Sequence, residues 1–207
     1  GQDLEEPLCR EWVKLVRASW LVELSKSGGV LSRRQDLPPE AFISLDELKA
    51  AGSFDEGWGK WLRIIVVSYP WLQPGHPDVH GENLRVIAKA LKLYVDWEDG
   101  HKPHGVLIDF GGLFQAVRTD EEDRIFKLAL GALHLFYAHP HTVVLKVTQF
   151  PPGYPNNPSY RYDLPQGANT VEYMDRGWCS TESAMSGLLK SSDKVLDLAK
   201  LNNSHIN

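Results

Sequence analysis

Trp61-Leu62-Arg63-Ile64-Ile65-Val66-Val67-Ser68-Tyr69 is the stretch on which the reading of the fold turns. A strand with one wet face alternates apolar and polar residues. This run does not alternate, so it predicts a strand buried on both faces, as in a parallel sheet. Two runs of the same kind follow: Gly105-Val106-Leu107-Ile108-Asp109-Phe110, ended by Gly111-Gly112, and Thr142-Val143-Val144-Leu145-Lys146-Val147-Thr148. Helical patterns separate them. Residues 82–94 place Leu84, Ile87, Ala88, Leu91 and Tyr94 or Val95 on one face. An acid-first segment from Thr119-Asp120-Glu121-Glu122 runs to about Tyr137 with Ile125, Leu128, Ala129, Ala132, Leu133 and Phe136 as its stripe. Residues 150–171 are Pro- and Asn-rich and irregular, as a lid or insert would be. Residues 174–190 then enter another helix, with Ser180 read as its N-cap, Glu182 in its first turn, and Ala184-Met185 and Leu188-Leu189 as its apolar stripe. Residues 194–198 read as a last strand. Strands alternating with helices predict an α/β fold, a parallel sheet flanked by helices.

Upstream of the first strand the pattern is helical. Residues 4–24 read as one helix, with Trp12, Leu15, Val16, Ser19 and Trp20 on one face. A Pro-stiffened connector follows at 33–40, and Ser44-Leu45-Asp46-Glu47 is a capping box opening a short helix that stops at Gly52. Residues 1–59 are therefore expected to form an N-terminal helical extension packed on a main domain of residues 60–207.

Of 207 residues, 43% are hydrophobic and 24% charged, with a net charge of -5. No basic run is present, which argues against nucleic acid as a partner. No apolar run approaches the ~20 residues that span a bilayer, so no membrane partner is expected. Cys9 and Cys179 are too far apart in sequence for a disulfide framework, and no signal peptide is visible, so a reducing, cytoplasmic setting is expected.

In open parallel sheets ligands bind outside the carboxyl ends of the strands. That rule gathers Ser68, Tyr69 and Trp71, then Asp109 and Phe110, then Thr148 and Gln149, and brings the 176–182 segment in from the same rim. Neither G-x-G-x-x-G nor a P-loop is present. His76 and His80, or His139 and His141, lack the three or four converging ligands a metal needs, so none is expected. Cys179 near a helix start is a candidate nucleophile with His134, His139 or His141 as base, but reads better as a small buried hydrophobe. The carboxylates point elsewhere. An N-glycosidic bond breaks through a cationic state that one carboxylate can stabilise. Glu182, with Asp109 as a second acid, suits that chemistry. Trp71, Tyr69 or Trp178 could stack on a flat base, and Arg176 could hold phosphate.

These residues resemble a known family. Val67-Ser68-Tyr69-Pro70-Trp71 is similar to the L-S-Y-x-W-G opening of fungal heterokaryon-incompatibility (HET) domains, and Leu107-Ile108-Asp109-Phe110-Gly111-Gly112-Leu113-Phe114-Gln115 to their W-I-D-A-L-C-I-N-Q. Arg176-Gly177-Trp178-Cys179-Ser180-Thr181-Glu182 resembles R-x-W-T-x-Q-E, and equally the W-C-x-x-E segment of Toll/interleukin-receptor (TIR) domains. Gly111-Gly112 stands where that family has L-C, Phe114 where it has Asn, and Thr181 where it has Gln. The resemblance spans residues 61–198. It implies a flavodoxin-like fold and cleavage of NAD+ as substrate, with no resident cofactor. Glu182 is implied as the catalytic carboxylate, and Ser68, Tyr69, Trp71, Asp109, Phe110, Arg176, Trp178 and Cys179 as substrate-binding. Nicotinamide would leave, and water or an adenine nitrogen would capture the ribosyl cation. It also implies self-association and a part in immunity or cell-death signalling. Two alternatives stand beside the enzyme: a TIR-like module that signals by assembly without turnover, and a related nucleoside-processing enzyme such as a deoxyribosyltransferase.

Overall fold

The computed structural model describes residues 4–50, 62–97, 103–151, 154, 157, 164 and 166–200. The expected stop of a helix at Gly52, the expected start of a strand at Trp61 and most of the 150–165 stretch lie outside these residues.

The decisive run is strand β2, Arg63–Ser68. It pairs in parallel with β3 (His104–Leu107) on one side and β4 (Val143–Lys146) on the other. β5 (Val195–Asp197) extends the sheet in parallel beyond β4, and a two-residue strand β1 (Val16–Arg17) closes the far edge antiparallel to β3. The order is β1-β3-β2-β4-β5. Counted alone, the parallel strands follow the flavodoxin-like order, with the first strand between the second and third. The fold class is α/β, as the alternation of runs and helical patterns predicts.

Burial on both faces explains the unbroken apolar run. Successive side chains of a strand point to opposite sides. Ile65 and Val67 enter one core with Leu21 of helix α2 (Ala18–Lys26) and Leu84, Ile87 and Leu91 of helix α4 (Glu82–Trp97). Ile64 and Val66 enter the other, with Leu8 of α1 (Glu5–Cys9), Leu48 of α3 (Leu45–Ala50), and Leu133 and Phe136 of α6 (Asp120–Ala138). A short helical turn, α5 (Asp109–Gly112), follows β3, and α7 (Gly177–Leu189) packs beside α6. The expected capping box forms between Ser44 and Glu47, and the acid-first start of α6 is itself a capping box of Thr119 with Glu122.

Three local expectations are corrected. The single helix over residues 4–24 is two helices separated by β1. Adjacent Leu15 and Val16 enter opposite cores, which only an extended backbone allows. Pairing of Val16 with Val106 outweighs the helical spacing of the apolar residues around it. Tight approach of Gly112 to this segment fixes it: Lys14 N–H donates to the Gly112 carbonyl at 3.0 Å, and a Cβ on Gly112 would lie 2.7 Å from the Lys14 carbonyl oxygen. Second, Asp109 and Phe110 do not extend β3 but open α5, where Gly112 N–H donates to the Ile108 carbonyl at 2.7 Å. Third, α7 begins at Gly177, not after Ser180.

Candidate functional site

The parallel order reverses direction at β2, because α4 leads away from it on one face and α6 returns across the other. The crevice between the carboxyl ends of β2 and β4 is where such sheets bind ligands. Ser68 ends β2 at that point, and its carbonyl accepts the Val147 N–H at 2.9 Å just past β4.

Helix α7 brings Glu182 there. A 3-10 turn at Tyr173–Asp175 leads in, Arg176 is extended as the N-cap, and Ser180 N–H already donates to the Arg176 carbonyl at 2.9 Å. Ser180 is therefore inside the helix, and Glu182 sits more than a turn from its start, where the helix dipole gives little help. Among the described side chains of α7, Cys179, Glu182 and Ser186 are buried. Of the expected apolar stripe, Met185 is half-buried against the core that holds Leu133, while Ala184 is exposed and Leu188 is 83% exposed.

Glu182 is 6% exposed. Ser68 Oγ donates to its Oε2, and the same Ser68 Oγ shares a 2.6 Å hydrogen bond with the Tyr173 hydroxyl. The Tyr137 hydroxyl, 3.3 Å from the Val67 carbonyl, also lies against the carboxyl, as does Trp178. Burial pushes the Glu182 carboxyl up to about 7; the hydrogen bond from Ser68 opposes this, as do the nearby Tyr137 hydroxyl and Trp178 indole, while the charge of Asp109 adds to it. The carboxyl opens onto a cavity of about 250 Å³ whose wall includes Leu133, His134, Tyr137, Trp178 and Met185. Trp178 is half-exposed at its lip, 52% accessible.

The other sequence candidates are placed as follows. Asp109, partly buried, accepts from Trp71 Nε1 at 2.7 Å and from its own neighbour's Phe110 N–H at 2.6 Å. Burial raises its carboxyl; the nearby Tyr69 hydroxyl and the bonds from Trp71 and Phe110 hold it down. Tyr69 is buried against Asp109, and burial followed by that charge raises its hydroxyl well above the usual range. Trp71 and Phe110 meet edge to face at 5.6 Å and border a different cavity, on the α2/α4 side of the sheet. The single cleft expected for Ser68, Trp71, Asp109 and Glu182 is thus two cavities, with Ser68 on Glu182 and Trp71 on Asp109. Arg176 gives its three nitrogens to carbonyls: Nε to Val171 at 2.7 Å, Nη1 to Trp71 at 2.5 Å and Nη2 to Asn169 at 2.8 Å. It clamps the chain before α7 to the exit of β2, and its guanidinium lies 5.2 Å from the Phe150 ring. Cys179 is buried with Sγ 3.8 Å from the Tyr69 carbonyl, and burial, then Glu182, pushes its thiol up to about 12. That is an inert thiol, in keeping with the small-hydrophobe reading.

Two tyrosines of the site are absent from the expected site residues. Tyr137 closes an apolar helix stripe, where Phe136-Tyr137-Ala138 resembles the I-Y-x-x-A of HET domains without marking a site role, and Tyr173 ends an irregular segment with no local signal. No group of histidine, cysteine and acidic side chains suited to a metal ion occurs among the described residues. None of the helices described is long and apolar enough to cross a membrane. Comparison with protein-family models, with curated proteins and with solved structures finds no match to this chain.

Proposed function

We propose that this protein is an NAD+ glycohydrolase of TIR/HET-like type, with Glu182 as its catalytic carboxylate. The observation that carries the reading is a buried carboxyl at the switch point with no ion-pair partner among the described residues. Its closest surroundings supply hydroxyls, an indole and a second negative charge, and among the described residues no cation forms an ion pair with it. What such a site lacks is a cation, and the ribosyl pyridinium of NAD+ is one. On binding, its charge would favour the ionised carboxylate, which then faces the charge that develops as the C1′–N bond breaks. The bonding pair leaves with nicotinamide, water adds to C1′, and its proton passes to solvent. A cavity of about 250 Å³ is smaller than the ~300–1,000 Å³ typical for drug-sized ligands. It suits the nicotinamide ribosyl end rather than the whole dinucleotide. Trp178 and Tyr137 are the rings placed to contact it. The motif likeness of the 176–182 segment to TIR and HET domains supports the same residue.

The test is nicotinamide release from NAD+ followed chromatographically. Wild type should turn over, and Glu182→Gln and Glu182→Ala should each lose about 10²-fold or more. Turnover that survives both substitutions removes Glu182 from the chemistry. One observation favours the non-catalytic alternative: Arg176 is committed to three carbonyls, so no phosphate anchor stands there. A TIR-like assembly module would show concentration-dependent sedimentation and no NAD+ loss in the wild type.

A further inference from the structure

We infer that the second cavity is a separate binding site for an uncharged, nucleobase-sized heteroaromatic ring. Its volume is about 380 Å³, and Trp71, His76, Phe110, Gly75, Arg33 and Asp36 lie around it. Three of these are rings already in mutual contact: Trp71 meets Phe110 at 5.6 Å and His76 meets Phe110 at 4.7 Å. Trp71 and His76 are held in place by hydrogen bonds of their own. Trp71 is fixed by its bond to Asp109 at 2.7 Å. His76 accepts the Asp78 N–H on Nδ1 at 2.9 Å, so its Nε2 carries the proton and donates to the Leu31 carbonyl at 3.0 Å. Rigid aromatic walls lose little on binding a flat ring, and stacking on them tolerates any base.

Charge decides the ligand class. Both ring nitrogens of His76 are engaged within the protein. Arg33 Nε pairs with Asp36 at 2.5 Å, and its Nη1 donates to the Ala116 carbonyl at 3.1 Å. Among the described residues the wall therefore offers no uncommitted cation to a phosphate and no unpaired acid to an ammonium group. A base or nucleoside fits this lining better than a nucleotide. The site lies across the sheet from the Glu182 cavity and does not depend on the activity proposed for it.

The test uses adenosine and AMP as probes, titrated into the full chain by calorimetry. Adenosine should bind saturably, and AMP no more tightly. Trp71→Ala should weaken adenosine at least about tenfold. Gly75→Leu is the second variant, because a Cβ at Gly75 meets nothing within 4 Å and its backbone lies outside the left-handed region. It should fold and should likewise weaken binding by obstructing the space. Glu182→Gln should leave adenosine affinity unchanged. The proposal is overturned by absence of saturable adenosine binding, or by AMP binding tenfold more tightly. It is equally overturned if affinity is lost in Glu182→Gln but kept in Gly75→Leu. Failure of the NAD+ assay leaves each of these results readable.

Discussion

A carboxyl taken out of water without a cation makes folding depend on pH, and Glu182 lets that dependence be signed. Its ordinary value is 4.5, and burial raises it to about 7 in the folded protein. Below about pH 4.5 both states hold the proton and the group costs nothing ionic. As pH rises the unfolded chain releases the proton while the folded chain keeps it. Stability therefore falls from about pH 4.5 to about pH 7 and then levels. The gap corresponds to about 3 kcal/mol as an order of magnitude. Glu182→Gln keeps the shape and removes the titration. Urea unfolding of both proteins across pH 4–8 should show the variant gaining on wild type by up to about 3 kcal/mol as pH rises to 7. A difference that stays flat would mean an ordinary solvated carboxylate. Cys179, one turn back on the same helix face, shares the dry surroundings, and its thiol is pushed up for the same first reason.

At the scale of elements, the join between the irregular segment and α7 rests on Arg176. Its planar fork reaches three carbonyls, and Asn169 N–H closes the same corner by donating to the Leu72 carbonyl at 2.8 Å. Lysine has a point charge and cannot span that set. Arg176→Lys should cost about 1–2 kcal/mol, discounted for the partial exposure of the side chain. It should also speed amide hydrogen exchange at Asn169; unchanged exchange there would show that the corner stands without the clamp. The strands β2, β3 and β4 and the helices α4 and α6 were legible because two-sided burial and helical period each leave a regular mark. The start of α7 was not, because Ser180 is a good N-cap by type while the helix start depends on a 3-10 turn and on distant carbonyls. β1 was hidden for a similar reason: two residues, Val16 and Arg17, take their conformation from β3 rather than from their neighbours. Ser68 beside Glu182 follows from the rule about strand ends. The division of the expected cleft into two cavities does not, because it depends on which face of the sheet each crossover helix covers.

At the scale of the molecule, the helical N-terminal segment and the sheet share their cores. α2 packs on α4 over Ile65 and Val67, and Val16 sits in the same cluster. Arg34, buried, gives Nη1 to the Trp12 carbonyl at 2.7 Å and the Gly112 carbonyl at 3.1 Å, and Nη2 to the Glu11 carbonyl at 2.7 Å. It also lies 4.0 Å from the centre of the Phe114 ring. Burial lowers its guanidinium to about 10, so this cation is held by geometry at a cost in solvation. Arg33 and Asp36 from the same segment form part of the wall of the Trp71 cavity. A chain of residues 60–207 alone would uncover Leu84, Ile87 and Leu91 and leave β3 as an open edge, a template for pairing with other chains. We expect that fragment to bind a hydrophobic dye, to lose near-ultraviolet dichroism and to unfold without a cooperative urea transition, whereas the full chain unfolds cooperatively. A fragment with a sharp transition and native dichroism would instead mark residues 60–207 as a domain that folds alone, with the N-terminal segment serving chiefly to complete the second cavity.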